Sequence, residues 1–300
     1  MKRKEFLQFT GMSLGMLALM RNQSLASFLA DPAYKMRMLR NNVGVFTEQG
    51  GTIGYLLSKE GIVTVDSQFP DPAQHLIAEL KKQSTQPFKY LINTHHHGDH
   101  TGGNIAFKGL SEHVVAHENS LKNQQATAEK AKNADKQLFP DLTYTDSWKT
   151  KVGGETIKMH YFGAGHTNGD SLVHFEDANI VHMGDLVFNR RFPFIDRTAG
   201  ANINSWIEVL EKTTKKFDKD TLYIFGHALD PEKITGNAAD LKAFQNYLSK
   251  LLKHVESEIK AGKSKEDILK ATSIPGAEEW TGQGIERSLT AAYEELTEKK

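Results

Sequence analysis

The strongest constraint on this chain is a strand-like run that leads directly into a cluster of histidines. Residues 88–92 read Phe-Lys-Tyr-Leu-Ile, an aromatic and β-branched pattern that predicts a strand, and His95, His96 and His97 follow almost at once. Residues two apart in an extended chain point to the same side, so His95 and His97 can converge on one ion while His96 points away. The pattern predicts a metal site where this strand ends.

A turn directly after these histidines supplies two further candidate ligands. Gly98 lets the chain turn sharply, which brings Asp99 and His100 back beside the same pocket. An oxygen donor and a nitrogen donor are then available for a second ion. Four potential ligands within residues 95–100 are hard to reach by accident, and a solvated histidine turn is the alternative interpretation.

Three more candidate ligands each follow a predicted strand and a glycine. The glycine gives the backbone freedom at the point where the side chain must aim into a shared rim. Strand ends gathered along one sheet edge are where α/β folds place ligands and catalytic groups. The candidates are His166 after residues 156–162, Asp185 after residues 179–183, and His227 after residues 221–225. For Asp185, a plain Gly-Asp turn is the alternative.

This set of residues resembles the signature of the metallo-β-lactamase superfamily. The resemblance extends over about residues 43–228. It implies an α/β fold, the αββα four-layer sandwich, with a metal site at one edge. It also implies that one ion is held by His95, His97 and His166, that a second ion is held by Asp99, His100 and His227, and that Asp185 bridges both.

Several polar residues near this pattern allow a structural interpretation as well as a functional one. Asp66 follows the predicted strand 62–65 and resembles a buried carboxylate of the family that orients a ligand histidine, while a strand-ending turn is an equally good interpretation. Asn168 and Asp170 are expected to cap the loop after His166. The other histidines lack matching spacing and are expected at the surface or in the core: His75, His113, His117, His160, His174, His182 and His254.

Strands and helices are predicted along the whole chain after its N-terminal segment. No low-complexity linker, charge block or repeat marks an internal boundary. We therefore expect one metallo-β-lactamase-like domain over residues 27–237, with a helical extension over residues 238–300 packed on the same domain. Predicted strands are 43–46, 53–57, 62–65, 88–92, 156–162, 171–175, 179–183 and 221–225, and predicted helices are 71–82, 119–137, 203–217, 241–259, 265–271 and 285–296.

The N-terminal segment has the pattern of an export signal. Lys2-Arg3-Lys4 precedes an apolar stretch over residues 6–20, and Ser24-Leu25-Ala26 is a small-x-small cleavage pattern. We expect a signal peptide over residues 1–26, export to the bacterial periplasm or the extracellular space, and no stable membrane span after signal removal. A permanent anchor is the weaker alternative, because the apolar stretch is short and interrupted.

Composition narrows both the partners and the chemistry. Lysine plus arginine equals aspartate plus glutamate, at 37 each, so no net charge favours nucleic acid or an anionic membrane. The absence of cysteine excludes thiolate ligands and a cysteine nucleophile. Histidine nitrogens and carboxylate oxygens without sulfur suit zinc, with manganese or iron left open. We expect two divalent metal ions, zinc first, and a small-molecule substrate.

The expected reaction is hydrolysis, with a hydroxide shared by the two ions as the nucleophile. Asp99 would orient this hydroxide or pass its proton to the departing atom. Asp185 resembles the bridging aspartate of thioesterases, lactonases and phosphodiesterases more than the β-lactamase branch. We therefore expect a small ester, lactone or amide as substrate, with true β-lactamase activity and a non-catalytic metal-binding protein as the alternatives.

The segment 188–196 carries three phenylalanines and two arginines shortly after Asp185. These side chains are expected to line the mouth of the pocket, where arginine would suit a carboxylate or phosphate on the substrate. The competing interpretation is that the phenylalanines pack into the core and the arginines lie in water.

Overall fold

Strands and helices alternate along residues 34–298, the part of the chain that the computed structural model describes; the predicted signal peptide, residues 1–26, lies outside them. The strands are β1 (Lys35–Arg40), β2 (Val43–Thr47), β3 (Ile53–Leu57), β4 (Ile62–Val65), β5 (Phe88–Ile92), β6 (Ser111–His117), β7 (Leu142–Tyr144), β8 (Ser147–Val152), β9 (Glu155–His160), β10 (Leu172–Phe175), β11 (Ile180–His182), β12 (Phe188–Asn189), β13 (Leu222–Ile224), β14 (His227–Ala228) and β15 (Thr235–Gly236). The helices are α1 (Pro70–Gln83), α2 (Gly98–Thr101), α3 (Glu118–Ala131), α4 (Ile203–Lys216), α5 (Ala238–Lys260), α6 (Lys265–Ile268) and α7 (Ile285–Thr297).

These strands form two large mixed sheets. The first has the order β1-β2-β3-β4-β5-β6-β7, antiparallel from β2 to β4 and parallel from β4 to β7. Helix α1 connects β4 to β5, because a parallel neighbour requires a crossover. The second sheet has the order β15-β13-β11-β10-β9-β8, in which only the β11–β13 pair is parallel. Strands β12 and β14 pair separately, in parallel.

The two sheets pack face to face through a shared apolar core. Val63 and Ile92 of the first sheet are fully buried, as are Ile157 and Val173 of the second, and all four belong to one cluster. Side chains of successive strand residues point to opposite faces, so this cluster takes one face of each sheet. The other two faces are left for helices.

Helices cover the outer faces of both sheets. Helix α3 contacts β6 and β7 on the first sheet, and α1 buries its Leu76 and Leu80 completely. On the second sheet, Val181 and Tyr223 share a fully buried cluster with Trp206 of α4. The predicted αββα sandwich is therefore confirmed.

The C-terminal helices pack on the same core as the second sheet. Helix α5 begins with a capping box between Asn237 and Asp240 and contacts both α4 and α7. Its Phe244 and Tyr247 stack in parallel, and the Tyr247 ring stacks on Trp280 at a centroid distance of 5.1 Å. None of the helices in residues 34–298 has the length and apolar character needed to cross a membrane.

The elements differ from the sequence prediction at several places, among them β6 and the end of α3. Strand β6 was not predicted, because only its second half is apolar and buried. It nevertheless extends the first sheet beyond β5, with Leu91 opposite Val114. Helix α3 ends at Ala131 instead of residue 137, because Lys132 adopts a left-handed conformation with φ 52°.

We expect a core truncation in α5 to destabilise the whole sandwich. Leu248 is fully buried, so Leu248→Ala should lower the free energy of unfolding by about 2–5 kcal/mol through lost apolar burial and a residual cavity. Lys253 on the same helix is exposed, and Lys253→Ala should change stability by less than about 0.5 kcal/mol. Urea unfolding measures both. A separate early transition for Leu248→Ala would mean that the C-terminal helices fold apart from the sandwich.

Candidate metal centre

The ends of several strands bring all seven predicted ligand side chains into one cluster. Each of these residues either follows a strand in a short connection or is the first residue of a strand. His95 and His97 follow β5, Asp99 and His100 lie in α2, His166 lies between β9 and β10, Asp185 lies in the 3-10 turn Gly184–Leu186, and His227 begins β14.

Three histidines, His95, His97 and His166, form the first group of this cluster. His97 Nδ1 lies 3.1 Å from His95 Nε2 and 2.8 Å from His166 Nε2. Ligand nitrogens at the usual zinc distance and tetrahedral angle are about 3.3 Å apart. The separations in the first group are therefore close to those of ligands to a single ion.

Asp99, His100 and His227 form the second group. Asp99 Oδ2 lies 3.1 Å from His227 Nε2 and 3.8 Å from His100 Nε2. The side chain of Asp99 is 32% exposed, whereas His100 is fully buried. This group therefore joins a buried nitrogen donor to a carboxylate that solvent can reach.

Asp185 lies between the two groups and contacts both. Its Oδ2 is 3.4 Å from the Nε2 atoms of His166 and His227, and its Oδ1 is 3.0 Å from His100 Nε2. The Oδ1 of Asp185 and the Nε2 of His100 are buried, and neither has a partner in hydrogen-bond geometry among residues 34–298. Two buried atoms that face each other without a hydrogen bond fit ligands that share a cation.

The tautomers of His95 and His166 leave their Nε2 lone pairs facing the first group. His166 Nδ1 lies 2.7 Å from the Phe194 carbonyl, which can only accept, so this nitrogen carries the proton. The Thr94 hydroxyl donates to Asp66 and therefore accepts from His95 Nδ1 at 3.0 Å. Both rings thus hold an unprotonated Nε2 toward the neighbouring nitrogens.

Two carboxylates orient the other histidines of the segment 95–100. His100 donates from Nδ1 to Asp66 Oδ2 at 2.7 Å, and His97 donates from Nε2 to Asp196 Oδ2 at 2.9 Å. The first group therefore directs three nitrogen lone pairs at one point, an arrangement that is repulsive without a cation. Together with the oxygen and nitrogen donors of the second group, it fits divalent metal ions.

Asp66 both ends a strand in a turn and contacts a candidate ligand histidine, as its two sequence interpretations predicted. Its φ of +66° ends β4 in a left-handed turn. Its carboxylate is fully buried and accepts from Thr94 N, Thr94 Oγ1 and His100 Nδ1. The left-handed turn thus places this carboxylate beneath the candidate ligand histidines.

The two groups differ in charge. Burial lowers the pKa of His95 well below its usual range and the pKa of His166 to about 3, so both rings are neutral at pH 7. Burial acts in the same direction on His227, but Asp185 and Asp99 outweigh it and raise its pKa to about 9. The carboxylates around His100 likewise raise its pKa well above the usual value, against burial.

The two carboxylates of the cluster are ionised. Burial would raise the pKa of Asp99, but positive His100 and the hydrogen bond with His227 lower it to about 2. The pKa of Asp185 falls well below its usual range because the charges on His227 and His100 outweigh burial. In the absence of metal, protons on the second group thus balance the carboxylates.

Close packing against the cluster requires glycine at positions 226 and 51 but not at position 98. A Cβ on Gly226 would lie 2.1 Å from Asp185 Oδ1, and one on Gly51 would lie 2.1 Å from His100 Cε1. Gly98 has no left-handed φ, and a Cβ there would meet no atom within 4 Å. The predicted need for a flexible glycine at position 98 is wrong, because the turn is made by the start of α2.

The polar residues outside the cluster have structural contacts. Asp170 accepts from the backbone of Gly165 and Thr167, as expected of a loop cap. The other seven histidines whose spacing did not match take no part in the two groups. His96 points away from the first group, is buried, and lies with its Nε2 3.7 Å from Asp196 Oδ2.

The cluster opens into a cavity of about 340 Å³. Asp99, Asp185 and His227 line it together with part of the segment 188–196. Both interpretations of that segment hold in part: Phe188 and Phe192 are buried yet line the cavity, whereas Phe194 is 42% exposed.

Sequence reasoning missed the groups that orient the ligands. Thr94, the Phe194 carbonyl and the Asp196 carboxylate each fix one histidine tautomer. Asp196 lies in the segment that was considered only as a substrate loop. Its partner His97 is distant in sequence, so no local spacing could have revealed the pair.

Comparisons with known proteins agree with this fold and cluster. Residues 55–227 match the model of the Metallo-beta-lactamase superfamily. The chain is 27% identical over 210 residues to the metallo-beta-lactamase IND-1 of Chryseobacterium indologenes, covering 67% of this chain and 82% of the relative. It is 30% identical over 200 residues to a metallo-beta-lactamase type 2 of Bacillus cereus, covering 63% and 74%.

A solved structure, a metallo-beta-lactamase from Pontibacter korlensis, is similar to the fold with a TM-score of 0.61 and 22% identity, covering 72% of this chain and 99% of that one. The chain belongs to the metallo-β-lactamase superfamily and is a metallo-hydrolase of that superfamily. The clustered histidines and aspartates accord with divalent metal binding.

The unequal charges of His100 and His227 on one side and His95 and His166 on the other predict that the second group releases protons when it binds a divalent ion. His227 and His100 are protonated at pH 7 and must lose a proton from Nε2, whereas His95 and His166 are already neutral. Affinity for the second ion should rise about tenfold per pH unit for each proton displaced between pH 6 and 8. Because His95 and His166 are neutral over this range, they should add little pH dependence to the metal affinity of the first group.

Titration calorimetry of metal-free protein with Zn²⁺, in buffers of different protonation enthalpy, measures the released protons. His227→Gln should reduce the release that accompanies the second ion. Proton release confined to the first ion would contradict the assigned charges.

Loss of the carboxylate at position 196 should weaken the first group without removing a ligand. In Asp196→Asn the amide can still contact His97 but no longer holds its Nε2–H as strongly, so His97 Nδ1 becomes a poorer donor. We expect metal affinity to fall about 10- to 100-fold, measured by competition with a chromogenic chelator. Thr198 hydrogen-bonds the other oxygen of Asp196, so Thr198→Val is the matched control and should have a smaller effect.

Proposed function

We propose that this protein uses two divalent metal ions, zinc in the first instance, to hydrolyse a small ester, lactone or amide. In this proposal His95, His97 and His166 hold one ion, Asp99, His100 and His227 hold the other, and Asp185 bridges them. The observation that carries the proposal is Asp185, whose two oxygens face nitrogens of both groups. A carboxylate in that position needs positive charge on both sides.

Divalent ions bound in such a site would polarise the substrate and lower the pKa of a water toward about 7. The protein's own groups determine where that water lies. Asp99 is ionised and partly exposed and lines the cavity, so it accepts a hydrogen bond from the attacking water and orients it. Because its pKa is about 2, Asp99 is an acceptor in the resting protein and becomes a donor only after it takes the proton of the water.

β-Lactam hydrolysis is the second candidate, and the names of the relatives favour it. The contact of Asp185 with both groups favours the ester, lactone or amide instead, because the β-lactamase branch usually lacks a bridging aspartate. A non-catalytic metal-binding protein is less well supported, since the cavity leads directly to Asp99 and Asp185. A signal peptide over residues 1–26 and export to the periplasm remain part of the proposal.

Metal analysis and a hydrolase panel test this proposal together. We expect close to two ions per chain and turnover of at least one ester, lactone, amide or β-lactam, lost with chelator and restored with Zn²⁺. His97→Ala should empty the first group, lower the metal content to about one ion and reduce kcat/KM at least about 100-fold. Lys253→Ala, on the exposed side of α5, is the control and should retain both.

Three outcomes would count against the proposal. Tightly held metal without turnover across the panel would favour a metal-binding protein. Unchanged metal content in His97→Ala would show that the first group does not hold an ion. Turnover of β-lactams alone would select the second candidate.

A further inference from the structure

Two arginines from distant parts of the chain line the cavity above the candidate metal centre. Arg191 follows β12, and Arg287 lies in the first turn of α7. Both line the same cavity of about 340 Å³ as Asp99, Asp185 and His227. Arg287 belongs to the C-terminal segment, beyond the residues 55–227 that match the family model.

The C-terminal segment is fastened to the loop that carries Arg191. Arg191 and Thr281 form a parallel β-bridge, and Thr281 N donates to the Arg190 carbonyl at 3.2 Å. The buried Ser288 hydroxyl, one residue past Arg287, donates to the Pro193 carbonyl at 2.8 Å. These bonds lie on both sides of the two arginines, so the backbone that carries each is held to the other.

Trp280 adds a third contact to this junction. Trp280 is buried, donates from Nε1 to the Phe188 carbonyl at 3.3 Å, and lies beneath the guanidinium of Arg190 at 4.6 Å. Phe188 in turn stacks on His227 of the second group at a centroid distance of 5.4 Å. The arginine pair is thereby positioned relative to the candidate metal centre through packed aromatic rings.

The charges of these two arginines are not neutralised by the protein. Among residues 34–298, no carboxylate lies within 4.0 Å of Arg191 or Arg287, and no side-chain hydrogen bond from either is observed. The contrast is Arg197, a few residues along the same loop, which forms ion pairs with Glu295 and Glu298 of the same C-terminal segment. Arg191 and Arg287 are therefore two unpaired, exposed arginines that line one cavity.

We propose that Arg191 and Arg287 form an anion subsite, which selects substrates that carry a carboxylate or similar oxyanion away from the bond to be cleaved. Guanidinium groups bind planar oxyanions through paired hydrogen bonds. The phenylalanines at positions 188, 192 and 194 line the same cavity as this subsite and Asp99, and give it apolar surface. The substrate is thus an organic acid with an apolar body, and the inference rests on the proposed hydrolytic function.

A pair of esters that differ at one end tests the subsite. 4-Nitrophenyl hexanoate ends in a methyl group, and mono(4-nitrophenyl) adipate has a carboxylate at the same position. We expect the zinc-loaded protein to prefer the adipate ester about tenfold or more in kcat/KM, as one charge-assisted hydrogen bond would produce. In R191Q/R287Q the loss should be at least about tenfold larger for the adipate than for the hexanoate ester, mainly through KM.

The control variant removes the same charge from a remote surface. Lys242 and Lys253 are exposed on α5, and K242Q/K253Q should leave both esters unaffected. The proposal is overturned if R191Q/R287Q lowers turnover of both esters equally or leaves the preference unchanged.

If the wild-type protein hydrolyses neither ester, the ester form of the proposed function fails, and the subsite is tested by binding alone. Calorimetric titration with mono(4-nitrophenyl) adipate should then show weaker binding to R191Q/R287Q than to wild type and K242Q/K253Q. Equal affinity in all three proteins, or no binding to the wild type, would overturn the anion subsite.

Discussion

The buried carboxylate of Asp185 is the constraint on which the rest of the site depends. It is 4% exposed, and an ionised carboxylate without partners costs several kcal/mol at such a depth. The protonated Nε2 atoms of His100 and His227, at 3.0 and 3.4 Å from its oxygens, compensate that cost. The strands must therefore end where these rings can reach one point, and Gly226 must lack a side chain so that β14 can begin beside the carboxylate.

Charge is distributed so that the fold can hold this cluster even without metal. In the second group, Asp66, His100 and Asp185 form a buried series of alternating carboxylate and imidazolium groups. The first group is neutral and directs lone pairs inward, and each ring is fixed by a hydrogen-bond partner on its other side. The second group therefore contributes ion pairs to stability. The first group is instead preorganised for a cation, because its rings carry no proton where the lone pairs meet.

The sequence predicted the candidate ligands that are marked by their spacing to neighbouring residues in the chain. The alternation of His95 and His97 after β5, and the glycine before Asp185 and His227, depend on neighbours in the chain, and these side chains do lie together. Contacts between distant segments were not visible. Strand β6 pairs with β5 although only its second half is apolar, and Asp196 contacts His97 only because the loop after β12 returns to it.

Arg287 is a further residue whose contact with the cavity depends on a distant segment of the chain. The seven candidate ligands lie within the segment 55–227 that matches the superfamily, and in the proposed function they set the type of reaction. One wall of the cavity comes instead from residues 280–288, which the apolar contacts of Trp280 and the hydrogen bond of Ser288 hold against the loop after β12. A C-terminal helix that packs on the second sheet can therefore change which substrates reach Asp99 without altering any ligand. In the proposed function, the candidate ligands and Arg191 come from the segment that matches the superfamily, and Arg287 joins them from the C-terminal helices across one packed junction.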